Sequence, residues 1–217
     1  MKRIIVAVAV VVVTALALNG SAFAGDNPGK GKKGDCPAAV AQYGACGLTV
    51  DEAASLADAP GSLTSTGVQA ISPEEAFAAS QLAGAETEFF SPALAADSTT
   101  GTAAVATATS TCWYITWNHS HGIWPYDQHI SLHTSWCGNG SWITSRSSWT
   151  SHDETLCDGH DAYTHKILGG VGYSSVTVEG GAYFSCPTTI PWITIHTHVW
   201  EQIKYTAWGS SWAVDWS

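Results

Sequence analysis

The C-terminal half of the chain predicts an all-β fold, an antiparallel β-sandwich of about eight or nine strands stabilised by disulfides. Three observations support this fold: residues 112–217 are dense in Trp, Tyr, Thr, Ile and Val, apolar and polar residues alternate along them, and Gly and Pro interrupt them at short intervals. Both an immunoglobulin-like and a jelly-roll-like arrangement agree with that spacing. A low-complexity, partly helical extension precedes this domain.

Alternation and turn residues predict the strands in order along the domain. The predicted strands are 112–117, 128–137, 141–145, 147–152, 162–168, 171–179, 182–186, 192–205 and 211–216. Gly138-Asn139-Gly140 predicts one hairpin turn and Gly180-Gly181 predicts a second, because Gly and Asn tolerate the positive φ of tight turns. In the second of these strands, alternation separates an inner face, with Ile130 and Leu132, from an outer face.

The N-terminus predicts an exported protein. Residues 1–24 begin with Lys2 and Arg3, continue with an apolar run, and end in Ala22-Phe23-Ala24, which is the pattern of a cleaved signal peptide. The run Ile4–Leu18 is shorter than the ~20 residues that a spanning helix needs, so we expect no transmembrane segment in the mature chain. The composition, rich in Ala and poor in Lys, indicates a bacterial, secreted, extracellular protein.

Export makes the six cysteines candidates for disulfides. Cys36 and Cys46 lie in a short stretch of their own, so we expect them to pair with each other. The other four allow three pairings, between which the sequence does not choose. These four are Cys112, Cys137, Cys157 and Cys186. Zinc binding by the cysteines is disfavoured because no Cys-x-x-Cys pattern is present.

Two segments connect the signal peptide to the β-domain. Residues 25–47 form a Gly- and Lys-rich segment that we expect to be flexible, with a loop closed by Cys36 and Cys46. Residues 48–111 contain no Trp, His, Cys, Lys or Arg and read as an Ala/Ser/Thr-rich spacer or pro-segment. Two short helices are predicted within it, at the capping boxes Thr49–Glu52 and Ser72–Glu75.

Tryptophan is the most unusual component of the domain. All 11 Trp lie within residues 112–217, which is more than a domain of this size buries easily. Those that share a face with Ile, Leu or Val are predicted to lie in the core: Trp113, Trp117, Trp136, Trp212 and Trp216. Exposed Trp offers a flat apolar surface to a sugar ring or to another protein. We expect this ligand-binding role for four residues: Trp124, Trp142, Trp149 and Trp200.

The nine histidines also lie within residues 112–217. Residues two or four apart on a strand share a face, so His129 with His133, and His196 with His198, each present two imidazoles side by side. Strand-borne imidazoles of this kind are ligands for Zn or Cu. The alternative is that they are polar residues on the solvated face of half-buried strands.

Charge and motifs narrow the function. The chain has 8 Lys+Arg against 18 Asp+Glu and a net charge of −10, which argues against nucleic-acid binding. No Gly-x-Ser-x-Gly elbow or phosphate-binding loop occurs, so we assign no catalytic residue. The leading hypothesis is a non-enzymatic binding domain without a cofactor, for a carbohydrate or a cell-surface protein. The alternatives are a Zn- or Cu-dependent secreted enzyme that uses the histidine pairs, and a secreted toxin or bacteriocin-like β-domain.

Overall fold

The computed structural model describes residues 36–82, 84–89 and 110–217, and consists mainly of two antiparallel β-sheets. The predicted antiparallel β-sandwich is confirmed. The predicted signal peptide at 1–24, the Gly- and Lys-rich residues after it up to residue 35, and residues 90–109 of the predicted spacer lie outside the described residues. Within the described ranges, no helix combines the length and the apolar character that crossing a bilayer requires.

The helices are short and belong to the N-terminal part of the described chain. They are α1 (Ala38–Gln42), a 3₁₀ turn (Ala45–Gly47), α2 (Val50–Ala57) and α3 (Pro73–Ala79). The strands are β1 (Ser62–Ser65), β2 (Gln69–Ile71), β3 (Glu86–Phe89), β4 (Thr111–His121), β5 (Gln128–Gly138), β6 (Ile143–Glu154), β7 (Asp158–Gly169), β8 (Ser175–Pro187), β9 (Thr194–Thr206) and β10 (Ser211–Trp216).

The chain order within the sheets is simple. The six-stranded sheet has the order β1-β4-β5-β6-β3, with β2 also paired to β4, and the four-stranded sheet has the order β10-β9-β8-β7. From β4 onwards, consecutive strands are neighbours, except that the chain passes from one sheet to the other between β6 and β7. Immunoglobulin and jelly-roll sandwiches use Greek-key connections, so this pair of meanders is simpler than either. β6 and β8 each join two predicted strands, so the domain from β4 onwards has seven strands, longer than the nine that were predicted there.

The apolar positions of the two sheets face each other. Leu132 of β5 and Ile203 of β9 are fully buried in one cluster between the sheets, as alternation predicts. Trp136 is fully buried in the same cluster, and its Nε1 donates to the Thr206 carbonyl of the opposite sheet over 2.9 Å. Removal of these apolar surfaces from water is the main force that holds the sheets together.

Two tryptophans predicted to lie in the core are exposed instead. Trp212 and Trp216 are 45% and 47% exposed. Their strand, β10, is an edge strand paired only with β9, and its register shifts between Ala213 and Asp215. An irregular edge strand does not keep one face under the opposite sheet, so alternation alone assigns its faces wrongly. The remaining predicted core tryptophans pack in or against the core.

Three disulfides connect all six cysteines. The predicted Cys36–Cys46 bond is confirmed. The pairing that the sequence left open is Cys112–Cys137 and Cys157–Cys186. Cys112 and Cys137 are directly opposite each other on β4 and β5. The other bond joins the turn before β7 to the end of β8, so each sheet contains one cross-link between neighbouring segments.

The segment that precedes the β-domain packs against it. Both predicted capping boxes are confirmed, at the starts of α2 and α3. Val40 of α1 and Ala57 of α2 are fully buried in a cluster at one end of the sandwich. β1 and β2 pair with β4, and β3 pairs with β6. Composition did not predict these three strands, because they are short and contain few large apolar residues.

The hairpin turn predicted at Gly180-Gly181 is wrong, because both glycines lie inside β8. A Cβ on Gly180 would lie 2.6 Å from Thr150 Oγ1 of the opposite sheet, and a Cβ on Gly181 would lie 2.6 Å from the Tyr163 hydroxyl. The two glycines therefore do not form a turn. Gly180 lets the Thr150 side chain approach one face of β8, and Gly181 lets the Tyr163 side chain approach the other. The other predicted turn, Gly138-Asn139-Gly140, does lie where β5 leads into β6.

Candidate functional site

The four tryptophans predicted to bind a ligand lie on four different surfaces. Trp124 lies in the β4–β5 loop and Trp142 lies in the β5–β6 loop, at opposite ends of β5, and they are 62% and 44% exposed. Trp149 projects from the outer face of the six-stranded sheet and Trp200 from the outer face of the four-stranded sheet, and both are half-buried. The four side chains therefore do not form one surface.

The histidines predicted as metal ligands form two separate pairs. His129 and His133 lie on the outer face of the six-stranded sheet, and His196 and His198 lie on the outer face of the four-stranded sheet. The core of the sandwich separates the pairs. In the part of the chain that the structure describes, no three His, Cys, Asp or Glu side chains are placed to hold a metal ion. The four histidines do not build one Zn or Cu centre.

The outer face of the six-stranded sheet carries an aromatic stack centred on His133. The pairing of β5 with β6 sets Trp149 directly beside it, and the two rings stack with centroids 4.9 Å apart and planes 11° apart. His133 Nδ1 lies 3.0 Å from the Tyr114 hydroxyl and 3.1 Å from Thr116 Oγ1. Its Nε2 lies 3.0 Å from Ser151 Oγ. Burial lowers the pKa of His133, so the ring is neutral at pH 7.

A polar groove of about 340 Å³ continues along the same face. β1 pairs with β4 and forms one wall, where the Ser62 and Ser120 hydroxyls lie 2.9 Å apart. Inside the groove, Ser131 Oγ donates to Asn118 Oδ1 over 2.9 Å. The outward side chains that line it are Ser62, Thr64, Asn118, Ser120, His129, Ser131 and Asp153. The lining therefore combines hydroxyl, amide, imidazole and carboxylate groups.

The groove and the aromatic stack form one continuous surface, which we call the polar–aromatic face. Along β5, Ser131 of the groove is two residues, about 7 Å, from His133 of the stack. Along β6, Asp153 of the groove is two residues from Ser151 of the stack. Hydroxyl and amide groups both donate and accept hydrogen bonds, and aromatic rings contact apolar C–H groups. This face therefore offers polar and apolar contacts to the same ligand.

Comparison with known proteins provides no relative from which a function is transferred. No family model matches the chain, and no curated protein or solved structure matches it. The function is therefore inferred from the chemistry of its own side chains.

The outer face of the four-stranded sheet carries a network of tyrosine, histidine and glutamate. The Tyr163 hydroxyl donates to Glu179 Oε1 over 2.9 Å and lies 2.9 Å from His198 Nε2. Gln202 Nε2 donates to the other Glu179 oxygen over 2.7 Å. Tyr183 stacks on His198 with ring centroids 4.3 Å apart. Burial, and then the Glu179 carboxylate, raise the pKa of Tyr163, whereas burial lowers the pKa of His198. Contacts within this network therefore orient the rings of Tyr163, Tyr183 and His198.

Sequence reasoning missed several of the residues on both faces. Tyr114, Tyr163 and Tyr183 occupy outward positions of predicted strands, so alternation provided the signal, but only Trp and His were considered as ligand-binding types. Among the residues that the structure describes, Trp192 is the most exposed large apolar side chain, at 83%, and it lies in the loop between β8 and β9. Its neighbour Pro191 marks a break between strands, which was a signal for exposure.

One glutamate and two histidines point into the core rather than to either outer face. Glu201 of β9 is fully buried, its Oε1 accepts from the Leu132 N–H over 3.2 Å, and burial raises its pKa to about 8. His119 of β4 is fully buried, and burial, followed by the neighbouring His121, lowers its pKa to about 4. Burial also lowers the pKa of His121, against the attraction of Asp58. At pH 7 all three are therefore uncharged.

Proposed function

We propose that this chain is an exported binding domain whose polar–aromatic face binds carbohydrate. The observation that carries the proposal is the open groove, lined by hydroxyl, amide, imidazole and carboxylate groups, beside the stacked rings of His133 and Trp149. Export is supported by the signal-peptide pattern of residues 1–24 and by the three disulfides, because disulfides persist in oxidising compartments.

Carbohydrate is the ligand class that matches both parts of the face. A sugar carries hydroxyl groups that donate and accept, and the groove supplies partners of both kinds, such as Ser131 and Asn118. A sugar ring also has an apolar face of C–H groups, and the half-buried ring of Trp149 supplies apolar area next to the groove. Concave sites with a few convergent polar groups are typical of small-ligand binding.

Charge disfavours an anionic ligand at this face. The groove contains Asp153, and none of its lining residues is Lys or Arg. The chain as a whole has a net charge of −10. Phosphate- or sulfate-bearing ligands are bound by Arg, Lys and backbone N–H groups, so a neutral ligand fits better.

The face is also fixed before a ligand binds. Each ring nitrogen of His133 contacts a hydroxyl group, and Trp149 stacks on the ring, so neither side chain rotates freely. The strands beneath are joined by the Cys112–Cys137 disulfide. Because little conformational entropy remains to be lost, a preorganised surface binds more tightly than a mobile one.

The test is retention on insoluble cellulose, chitin and peptidoglycan, followed by isothermal titration calorimetry with soluble oligosaccharides of whichever material retains the protein. We expect the wild-type chain to be retained by at least one of them. Trp149→Ala should weaken binding about 10-fold or more, because stacking on a sugar ring is lost together with the support of His133. Trp192→Ala removes an equally large exposed ring elsewhere and should leave binding unchanged.

Two results would contradict the proposal. The first is a wild-type chain that none of these materials retains. The second is retention that survives Trp149→Ala but is lost in Trp124→Ala or Trp200→Ala, because the site would then lie on another surface. Thermal unfolding of each variant shows whether a loss of binding reflects a loss of fold.

A further inference from the structure

The outer face of the four-stranded sheet brings a serine, a histidine and an aspartate into a hydrogen-bonded chain. Ser185 Oγ of β8 lies 3.1 Å from His160 Nε2 of β7. His160 Nδ1 lies 2.9 Å from Asp161 Oδ2. This is the order of contacts, nucleophile to base and base to orienting carboxylate, that activates a serine for acyl transfer. Both distances lie within hydrogen-bonding range.

The backbone at Asp161 is unusual in a way that serves this geometry. Asp161 has a φ of 51°, the one positive value at a non-glycine residue in the described chain. It lies at an irregularity in the pairing of β7 with β8, between His160 and Tyr163. In a regular strand the side chains of residues 160 and 161 would point to opposite faces. The bulge instead turns the carboxylate towards the imidazole on the same face.

Strained backbone conformations persist where the surrounding structure holds them, and they are common at functional sites. Aspartate tolerates the left-handed region better than most residues, but glycine would occupy it at lower cost. Asp161 therefore adopts a backbone conformation that costs more free energy than it would for glycine. In this conformation the Asp161 carboxylate contacts His160 Nδ1.

A second histidine completes the surroundings of the serine. His196 Nδ1 of β9 lies 3.1 Å from Ser185 Oγ. The carboxylate of Asp161 fixes the proton on His160 Nδ1, so His160 Nε2 accepts the serine proton. A hydroxyl has a single proton, so His196 must then act as donor to the same oxygen. This contact holds the serine oxygen so that its proton faces His160 Nε2.

From these contacts we infer that the chain is also a serine esterase, with Ser185 as nucleophile, His160 as general base and Asp161 as the residue that positions the base. The substrate class is a carboxylic ester, the acyl compound that a serine activated in this way cleaves. Tyr183, which stacks on His160 with centroids 6.4 Å apart, borders the space next to the serine. This site is independent of the carbohydrate-binding proposal, since it lies on the other sheet.

The reaction balances with water as the only co-reactant. Ser185 Oγ attacks the carbonyl carbon and its proton passes to His160 Nε2. The bond between that carbon and the alcohol oxygen breaks, and His160 returns the proton to the departing alcohol. Water then attacks the acyl-serine, giving its proton to His160, and the carboxylic acid leaves as the serine oxygen takes the proton back.

The first test is covalent labelling of the folded full-length chain with a fluorophosphonate probe, with the modified residue identified by peptide mass spectrometry. We expect an adduct on Ser185, and labelling slowed about 100-fold or more in His160→Gln. Hydrolysis of 4-nitrophenyl acetate should fall in parallel in Ser185→Ala. Ser141→Ala and His165→Gln, a serine and a histidine exposed elsewhere, control for non-specific acylation and for hydrolysis by free imidazole.

Asp161→Gly separates a catalytic role of the carboxylate from a structural one. Glycine relieves the positive φ, so thermal stability should be unchanged or higher, whereas labelling of Ser185 should slow about 10-fold or more. An absence of adduct on Ser185 in the wild type, or equal hydrolysis by wild type and Ser185→Ala, overturns the proposal. Equal labelling of wild type and Asp161→Gly overturns the role of Asp161. None of these results bears on carbohydrate retention, which is measured separately.

Discussion

Two regions of the sandwich interior, one holding Glu201 and the other His119, respond to pH in opposite ways. In the centre, Glu201 of β9 lies opposite Gly180 of β8 and above the backbone of Leu132. Near the end of β4, His119 lies beside His121, close to the backbone of Ser217. Both regions are shielded from water, so burial disfavours the charged form in each.

The same physical cause, burial, has opposite consequences for an acid and a base. Burial makes Glu201 hold its proton up to a pH of about 8. Burial prevents His119 from taking up a proton until the pH falls to about 4. The centre of the sandwich is therefore sensitive to alkali, and the end of β4 is sensitive to acid.

The largest expected effect is the loss of alkaline sensitivity in Glu201→Gln. Between pH 4.5 and about 8, the unfolded chain has released the Glu201 proton and the folded chain has not, so the free energy of unfolding falls as pH rises. At about 1.4 kcal/mol per pH unit, the total is on the order of 5 kcal/mol. Urea unfolding of both proteins at pH 5 and pH 8, with disulfides intact, measures the difference.

Because glutamine is neutral at every pH, the free energy of unfolding of Glu201→Gln should lack this fall. The histidines are present in both proteins, so their contribution cancels in the comparison. Equal changes in the free energy of unfolding of the two proteins from pH 5 to pH 8 would contradict this prediction. They would show that the Glu201 carboxyl group contacts water or a charged partner in the folded protein.

The next effect is smaller and has the opposite sign. When the pH falls from 6.5 to about 4, the unfolded chain protonates His119 and the folded chain does not, so stability is lost towards acid. His119→Gln should reduce that loss by on the order of 3 kcal/mol. His121 and Asp58, which face the same region, remain in the variant. The measurement is urea unfolding at pH 6.5 and pH 4.5.

His165→Gln is the matched control for the acid effect, because that imidazole is half-exposed on the outer face of the four-stranded sheet. The fall in the free energy of unfolding from pH 6.5 to pH 4.5 should persist in this variant, because His119 is unchanged. An identical loss of stability towards acid in His119→Gln and the wild type would place water or a partner at His119.

Alternation of apolar and polar residues predicts which face of its strand Glu201 lies on. It places Glu201 on the same face as Val199 and Ile203, and the structure buries all three. His119 lies beyond the predicted strand 112–117, so its burial was not predicted. The sandwich itself, the outward histidines and two helix caps could be predicted in the same way. These features depend on neighbouring residues in one segment, which a sequence displays directly.

The rest depends on pairing between segments distant in sequence. Ser185, His160 and His196 meet only because β8 lies between β7 and β9, and because a bulge turns Asp161. The groove needs β1, whose four residues show no apolar alternation. Gly180 is a residue type that is typical of turns, but it lies inside β8, where it lets the opposite sheet come close. This role depends on the opposite sheet and is not visible in the local sequence.

The last and smallest effect tests how tightly the centre is closed around Glu201. In Gly180→Ala the new Cβ would lie 2.6 Å from Thr150 Oγ1 and 3.0 Å from Leu132 Cδ1, so these side chains, or the sheets that carry them, must shift locally. We expect a loss of about 1–3 kcal/mol in the free energy of unfolding. Separation of the sheets admits water to Glu201, so the fall in stability between pH 4.5 and 8 should also become shallower.

Gly47→Ala is the control, because a Cβ at Gly47 meets no atom within 4 Å. It should change the free energy of unfolding by less than about 1 kcal/mol and leave the pH dependence intact. If Gly180→Ala destabilises the protein but keeps the full alkaline sensitivity, Glu201 is isolated from water by its own strand rather than by contact between the sheets. The high pKa of Glu201 would then be a property of β9 and not of the close approach at Gly180.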